Sequence, residues 1–435
     1  MNDDSNRDNH VSEMLSAKGA SRRNLLKSAA AVGAVAAVGG FGFPSIVSAR
    51  GDQPVLFGVD EPQTGTYAIT GRNEVDGMRL AAAELNKKGG ILGRPVKLLV
   101  QDSTSGDAGV AVQVAHKFIN KDKVNFLIGN VNSGLTMAMS AVAHKAGVLL
   151  VDPGGHADPI TGTECHWGTY QVDPTTSLLV NAIAPDLIKK FGKKFYFLVP
   201  DYAFGQSLLK AYNVNLKKYG ATNVGTDLIP LGTSDYSSYL IKAQAANPNV
   251  IIVLQNGEDQ VNALKQIVQF GLDKRFHIAG ANIELETLEA LAPTSRVGTW
   301  VIEWYFKQPG VPHVAEFTAA YRKMFNRTPT ARSWFGHTAI WACALGAEKA
   351  KSLDTLKVAR ALNGYTLPPE VALQKYPATF RANQHALIGT IWFGHAKQNG
   401  SASDPDDLFE ITDTIDEKTI ARSLAETGCH MTWPT

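Results

Sequence analysis

Two short polar loops in the sequence combine residue types that bind anions or carbonyl groups. The first runs from Asn130 to Gly134 and contains Ser133, between an apolar run and a helical pattern. Backbone N–H groups at the start of a helix, together with a serine hydroxyl, form a nest for a carboxylate or carbonyl oxygen. Ser133 is equally suited to cap the helix. The loop therefore predicts a ligand contact or a helix cap, and the two roles are compatible.

The second loop, Asp152 to His156, follows another apolar run. Gly154 and Gly155 would let a ligand approach the backbone closely, because neither has a Cβ. A plain tight turn would need the same two glycines. We keep both interpretations and count Gly154, Gly155 and His156 as candidate contacts.

Motifs for catalysis or metal binding are missing from the sequence. It contains no GxSxG elbow, HExxH, P-loop or EF-hand pattern, and no residues that pair a nucleophile with a base. Among its 11 histidines, His156, His166, His313 and His337 could meet only through folding, and ordinary loop or partly buried histidines are the preferred interpretation. We therefore expect a protein that is not an enzyme and holds no metal or cofactor.

The elements that would position these loops alternate between strands and helices. Apolar runs without polar alternation indicate strands buried on both faces of a sheet; they cover 55–59, 96–100, 126–129, 148–151, 195–199, 250–254 and 276–279. Amphipathic stretches lie between them, such as 77–88, where Met78, Ala81 and Leu85 share one helix face. This alternation predicts an α/β fold with two doubly wound, Rossmann-like units, near 54–172 and 173–302.

After residue 302 the pattern changes to helices at 314–325, 334–351 and 355–362, followed by one strand at 389–394. Because no further α/β unit follows, we expect the chain to return to the first unit. In the resulting division, lobe 1 comprises 53–172 and 303–386. Lobe 2 comprises 173–302 and 387–425, and a C-terminal tail covers 426–435. Crossings between lobes act as a hinge around a ligand cleft. The cleft loops, at the carboxyl ends of the strands, would be 60–71, 130–136, 152–158, 201–206, 255–259 and 280–284.

Composition and charge exclude several classes of protein. The 435 residues are 44% hydrophobic and 19% charged, which is typical of globular domains. The net charge of +2, from 42 basic and 40 acidic residues, gives no electrostatic reason to expect nucleic acid as a partner.

The N-terminal 49 residues have the features of an export signal. Arg22 and Arg23 precede an apolar run at 28–42, and small residues at 47–49 suit a signal peptidase. The paired arginines indicate the twin-arginine route. The apolar run is shorter than the roughly 20 residues that a membrane-spanning helix needs. We expect cleavage after Ala49 and a soluble periplasmic protein.

The ordered motifs of the chain resemble one family. They are the twin-arginine signal, Gly65, the turn at 86–93, Asp102, Ile128-Gly129 with Ser133, Pro153-Gly154-Gly155, and 201–205. In this order, over about 53–400, they are similar to periplasmic solute-binding proteins of ABC importers for branched-chain amino acids, amides and related compounds. The resemblance implies a type I periplasmic-binding-protein fold with a three-strand hinge. It also implies that Ser133 and the backbone of 154–156 hold a ligand carboxylate, and that Phe204 covers the ligand.

Several positions depart from the pattern of amino-acid binders in that family. Asn282 stands where an acid would meet an ammonium group, Asn256 replaces an aromatic residue, and His156 replaces a small hydroxyl residue. A buried ammonium group without an acidic partner is costly. These departures favour a neutral amide, a hydroxy acid or an aromatic carboxylate as the ligand. Glu258, Asp259 or Glu284 could instead supply the acid that an ammonium group needs. Tyr67 and Trp334 could form apolar walls of the cleft, or they could belong to the core.

The three cysteines allow a further expectation. Cys343 lies on an apolar helix face and should belong to the core. Cys165 and Cys429 lie in loop-like sequence, and an oxidising periplasm permits a bridge between them.

The leading functional hypothesis is an extracytoplasmic solute-binding component of an ABC importer. It would be a monomer that binds a small polar solute (an amino acid, an amide or a related carboxylate) between its lobes and delivers it to a membrane permease and its ATPase. The alternatives are a sensor of the same fold that feeds a membrane regulator, and an exported enzyme that depends on a cofactor.

Overall fold

The computed structural model describes residues 53–435. The predicted export signal at 1–49 lies outside these residues. Within the described part of the chain, no helix combines the length and the apolar character that crossing a membrane requires.

The described residues form two large sheets and one small one. In chain order the strands are β1 (Val55–Glu61), β2 (Val96–Asp102), β3 (Phe126–Ile128), β4 (Leu149–Asp152), β5 (Thr169–Gln171), β6 (Lys194–Pro200), β7 (Thr222–Ile229), β8 (Val250–Val253), β9 (His277–Asn282), β10 (Thr299–Ile302), β11 (Thr379–Phe380), β12 (Leu387–Ile388), β13 (Thr390–Ala396) and β14 (Phe409–Asp416).

Thirteen α-helices surround these sheets in the described residues. They are α1 (Ala68–Lys87), α2 (Ala108–His116), α3 (Ser133–Ala146), α4 (Thr176–Phe191), α5 (Ala203–Tyr219), α6 (Ser237–Ala246), α7 (Gly257–Gln269), α8 (Leu285–Glu289), α9 (Val314–Phe325), α10 (Ala331–Ala350), α11 (Thr355–Leu362), α12 (Pro369–Ala372) and α13 (Leu424–Thr427).

The first sheet has the order β2-β1-β3-β4-β5, and all of its pairs are parallel. The second has the order β14-β13-β10-β9-β8-β6-β7, where only β13 and β14 run antiparallel to their neighbours. Central strands such as β3 and β8 are buried at every residue, as their continuous apolar sequences predicted. The predicted α/β fold with doubly wound parallel sheets is thus confirmed. We call the first sheet with α1, α2, α3 and α10 lobe 1, and the second sheet with α4 to α7 lobe 2.

Three stretches of chain pass between the lobes. Residues 172–175 lead from β5 to α4, residues 303–313 lead from β10 to α9, and residue 389 joins β12 to β13. A bridge between Gln171 and Ala386 ties the start of the third stretch to β5 of lobe 1. The fold therefore has the predicted three-stranded hinge, while the exact residue bounds predicted for the lobes remain a prediction.

The helix predicted at 77–88 begins earlier, at Ala68. Its first turns bury small or polar residues, among them Gly71, Asn73 and Glu74, so they show no apolar periodicity. At Gly77, a Cβ would lie 1.9 Å from the carbonyl oxygen of Ser333 on α10. The glycine is therefore required for the close packing of α1 on α10.

The sequence analysis missed strands β7 and β14, which lie at the two edges of the second sheet, and also missed β5 and β10. Strands β7 and β14 keep several exposed or half-exposed residues, such as Thr222 and Asp413. An edge strand has one neighbour and needs no continuous apolar run, so its sequence carries a weaker signal.

The structure confirms the bridge between Cys165 and Cys429. Cys429 follows α13, so the bridge attaches the C-terminal tail to the loop before β5. Trp433 in the tail packs near Trp167, with ring centroids 6.3 Å apart. Cys343 is a free, buried cysteine in the core, as predicted.

Candidate ligand-binding site

The carboxyl ends of the strands in the two lobes meet at one buried seam. The hydroxyl oxygens of Tyr67, before α1, and Tyr202, after β6, are 2.6 Å apart. Next to them the amide of Glu258 donates to the carbonyl oxygen of Thr66 at 3.3 Å. Contacts between strand-end loops of opposite lobes are where a ligand would be enclosed in this type of fold.

His156 connects the loop after β4 to two of the hinge crossings. Its Nε2 lies 2.5 Å from Glu303 Oε1, and its Nδ1 lies 3.0 Å from Asp173 Oδ2 and 2.8 Å from the carbonyl oxygen of Gly154. Asn282, at the end of β9, donates to the other oxygen of Glu303 at 3.0 Å. The structure therefore brings His156 and Asn282 together through Glu303, a residue that the sequence analysis missed.

Arg332 forms a second buried centre in the seam. Its Nε donates to Glu284 Oε1 at 2.8 Å, and its Nη1 donates to Glu74 Oε1 at 3.1 Å and to the carbonyl oxygen of Gly154 at 3.3 Å. Glu74 belongs to α1 of lobe 1, whereas Glu284 follows β9 of lobe 2. One guanidinium group thus joins carboxylates from both lobes.

Carboxylates outnumber cations in the seam. The acidic cluster comprises six side chains, none more than 2% exposed: Glu61, Glu74, Asp152, Asp173, Glu284 and Glu303. Among the described residues, the basic groups that form ion pairs with this cluster are the Arg332 guanidinium and the His156 imidazole.

Burial changes the protonation of the acidic cluster. Burial and the charge of neighbouring acids raise the pKa values of Glu61 and Asp152 well above their usual range. Burial raises the pKa of Glu284 to about 8, although the Arg332 charge opposes the rise. Glu303 is the exception: burial acts to raise its pKa, but the charge of His156 and the hydrogen bonds it accepts hold that pKa below its usual value. Glu284 therefore retains its proton near neutral pH.

The predicted anion nests are largely used by the chain itself. The amides of Gly154 and Gly155 donate to Asp152 Oδ1 at 3.1 and 2.8 Å. The cap of α3 is Asn132, whose side chain accepts from the Gly134 amide at 2.9 Å. Ser133 is therefore not the cap, which corrects that interpretation; its hydroxyl oxygen accepts from the amide of Ala157 at 3.2 Å.

Three further predicted contacts, Phe204, Asn256 and Trp334, have different surroundings. The Phe204 ring lies edge-on to His156, with centroids 5.8 Å apart, and 6.1 Å from the Tyr202 ring. Asn256 is 3% exposed at the end of β8, and neither atom of its amide has a hydrogen-bond partner. Trp334 is less directly placed, because its Nε1 donates to the carbonyl oxygen of Val371 and its ring packs on Phe335.

Other predicted side chains have separate roles. Glu258 is exposed, and Asp259 accepts from the Gly232 amide at 2.9 Å, so Glu284 alone of the three alternative acids joins the cluster. His166 stacks on His144, and His337 contacts Glu84, so the histidines do not assemble. The described residues contain no group of three or more His, Cys, Asp or Glu side chains arranged to hold a metal.

Replacing Tyr67 by phenylalanine is expected to destabilise the closed protein by about 0.5–1.5 kcal/mol, the usual contribution of one hydrogen bond. The substitution removes the hydroxyl that contacts Tyr202 and leaves the ring in place. Urea unfolding of the purified protein would measure the loss. Tyr236→Phe is the matched control, since the buried hydroxyl of Tyr236 has no partner. Equal losses in the two variants would contradict a stabilising role for the Tyr67–Tyr202 contact.

Comparisons with known proteins agree with this architecture. Residues 54–401 match the family model described as periplasmic binding protein. The Leu/Ile/Val-binding protein homolog 7 of Brucella suis is 27% identical over 355 residues, which cover 76% of this chain and 87% of the relative.

Solved structures share the fold. A periplasmic binding protein from Burkholderia mallei superposes with a TM-score of 0.80 at 23% identity, covering 87% of this chain and 99% of that one. A solute binding protein of an ABC transporter from Rhodopseudomonas palustris, in complex with 3,4-dihydroxy benzoic acid, has a TM-score of 0.75 at 20% identity, covering 84% and 98%.

Proposed function

The chain belongs to the periplasmic binding protein family, and from this premise we propose that it is the extracytoplasmic solute-binding component of an ABC importer. It binds a small polar solute between its lobes and performs no chemistry on that solute. Its relatives include Leu/Ile/Val-binding protein homologs and a neighbour in complex with an aromatic acid.

The observation that carries this proposal is the buried polar seam. Side chains from the strand ends of both lobes meet there, as in the contact between Tyr67 and Tyr202 and in the pair of Glu284 with Arg332. The proposed ligand contacts are Ser133, His156, Phe204, Asn256, Asn282 and Tyr67. Gly154 and Gly155 line the same site, where their amides hold Asp152, and Trp334 supports the site from behind Phe335.

Binding and release follow from how deeply the seam is buried. Because Glu74, His156 and Glu284 are each at most 1% exposed, a solute can reach them only when the lobes separate. A solute that contacts both lobes binds the closed form better and shifts the population towards it. The closed form then presents one surface, made of both lobes, to the membrane permease.

The same proposal includes the route and the partners of the protein. The segment 1–49 directs export by the twin-arginine pathway, and the protein acts in the periplasm as a monomer. Its partners are the permease and the ATPase of the importer.

A ligand screen by thermal unfolding tests the proposed function. The solutes are amino acids, neutral amides, urea, aromatic acids and organic amines, each at millimolar concentration. A solute present at 100 times its Kd adds about 2.7 kcal/mol to the free energy of unfolding, so a true ligand should raise the melting temperature by several degrees. The proposal is contradicted if no solute of any class shifts the melting temperature.

A further inference from the structure

We propose that the seam selects an organic cation, a small solute that carries an ammonium, amidinium or guanidinium group and no free carboxylate. This inference rests on the proposed function and names the class of its ligand. It differs from the neutral or aromatic carboxylate solutes that Asn256 and Asn282 suggest on the basis of sequence alone.

The first support is the number of hydrogen-bond acceptors that have no donor. Glu284 gives one oxygen to Arg332, and its second oxygen is buried without a partner. One oxygen each of Asp152 and Asp173 is likewise buried without a partner, whereas Glu61 and Glu74 share a hydrogen bond with each other. Buried polar atoms without partners are rare in folded proteins, and those of a binding site are satisfied by its ligand. N–H donors on a cation would fill this need.

The second support is that the donors of the site are already engaged. The amides of Gly154 and Gly155 donate to Asp152, and the amide of Val131 donates to Glu61 Oε2 at 3.3 Å. Arg332 is held between two carboxylates. A ligand carboxylate would have to compete with these acids for their donors and would be repelled by the ionised carboxylate of Glu303, whose pKa lies below its usual value.

The third support does not depend on the acidic side chains. The buried amide of Asn256 lacks partners for both its oxygen and its nitrogen. Its neighbour Gly257 lies against the other lobe, where a Cβ would be 2.8 Å from the carbonyl oxygen of Thr66 and 2.9 Å from the Tyr67 ring. Asn256 is thus an unsatisfied amide at the same seam. The Phe204 ring, 5.8 Å from the His156 ring and 6.1 Å from the Tyr202 ring, adds an aromatic face, and such faces attract organic cations.

The protonation of the cluster predicts how binding depends on pH. Burial raises the pKa of Glu284 to about 8, so in the empty protein this carboxyl is largely protonated at pH 6 and largely ionised at pH 9. The charged and titratable groups that face Glu284 are Glu74, His156, Glu286, Glu303 and Arg332. Since a cation binds the ionised form, its affinity should rise from pH 6 to pH 9, and its binding should release protons.

The decisive experiment compares probes of matched shape and opposite charge. Benzamidine and benzoate differ in the charged group on the same ring, and agmatine and putrescine are flexible cations. Isothermal titration of the full-length mature protein at pH 8 should give binding for at least one cation and none for benzoate or leucine. Repeating the titration with the cation that binds, in buffers of different ionisation enthalpy, should show that protons are released on binding.

A pair of variants separates recognition from folding. Glu284→Gln should weaken binding of that cation about 10- to 100-fold, the usual effect of losing one hydrogen bond to a charged group. The empty variant should melt below wild type, because Arg332 keeps only Glu74 as a carboxylate partner, so the affinities are compared at a temperature at which both empty proteins are folded. Glu370→Gln removes an exposed carboxylate and should leave the affinity unchanged.

The outcomes distinguish the class of ligand from the function itself. Binding of leucine, benzoate or a neutral amide, with no binding of any cation in the panel, overturns the cation inference and leaves the solute-binding function in place. Failure of every probe and of the broader screen removes both. A cation whose affinity is equal in Glu284→Gln and wild type also overturns the inference, because it binds outside the cluster.

Discussion

Replacing Arg332 by leucine should lower the free energy of unfolding by about 3–5 kcal/mol, as expected when one partner of a buried ion network is removed. The guanidinium is 2% exposed and bonds to Glu74 and Glu284 from opposite lobes. Leucine fills part of the space but leaves two buried carboxyl groups without their cation. Urea unfolding at pH 8 measures the loss.

The sign of the pH dependence follows from proton linkage. Burial already raises the pKa values of Glu74 and Glu284, and the Arg332 charge is the main influence that opposes the rise. In Arg332→Leu the two folded-state pKa values rise further above those of the unfolded chain. The folded variant then holds protons that the unfolded chain releases, so its stability falls as pH rises through the folded pKa values. The deficit relative to wild type should be larger at pH 8 than at pH 5.

A compensated variant supplies the control for this prediction. Arg332→Leu combined with Glu74→Gln and Glu284→Gln removes all three charges, and neutral replacement of a buried ion network costs little. It should recover much of the lost stability and show a weaker pH dependence than Arg332→Leu. If Arg332→Leu unfolds at the wild-type urea concentration at pH 8, the buried network does not stabilise the fold.

Removing the Cys165–Cys429 bridge is expected to cost roughly 3–5 kcal/mol of stability through the entropy of the unfolded chain. The bridge spans 264 residues, which is most of the described chain, and a long closed loop restricts the unfolded state most strongly. The double variant Cys165→Ala, Cys429→Ala should therefore melt well below wild type. Calorimetry of both proteins measures the difference.

Reductant provides the matched comparison for the bridge. Wild type should lose stability in dithiothreitol, whereas the double variant should be insensitive because only Cys343 remains. Thiol titration after denaturation should report one thiol in oxidised wild type and three after reduction, since the chain has three cysteines. Equal melting temperatures for fully oxidised and fully reduced wild type would show that the bridge does not stabilise the fold.

The departures at the cleft favour a neutral amide, a hydroxy acid or an aromatic carboxylate, whereas the buried acids of the folded chain carry our proposal of an organic cation. Asn282 stands where an acid was expected, and this favoured a solute without an ammonium group. In the folded chain, Glu303 accepts a hydrogen bond from Asn282, and Glu284 lies two residues further along. The acid is therefore supplied to the same place from a hinge crossing, and no spacing along the chain indicates it.

The sequence by itself determined most strands of the two sheets, most of the helices, the strand-end loops that meet at the seam and the family of the protein. Strands such as β3 and β8 are buried on both faces, so their apolar runs are visible without any knowledge of neighbours. Only the tertiary structure decided that Glu74, Glu303 and Arg332 lie together in the buried seam. Each of these residues is a single charge in a separate segment of the chain. The two carboxylate partners of Arg332 lie 48 and 258 residues away from it in the sequence. A local pattern records which residues are buried against the core, but the balance of charge in a cleft depends on which distant segments the fold brings into contact.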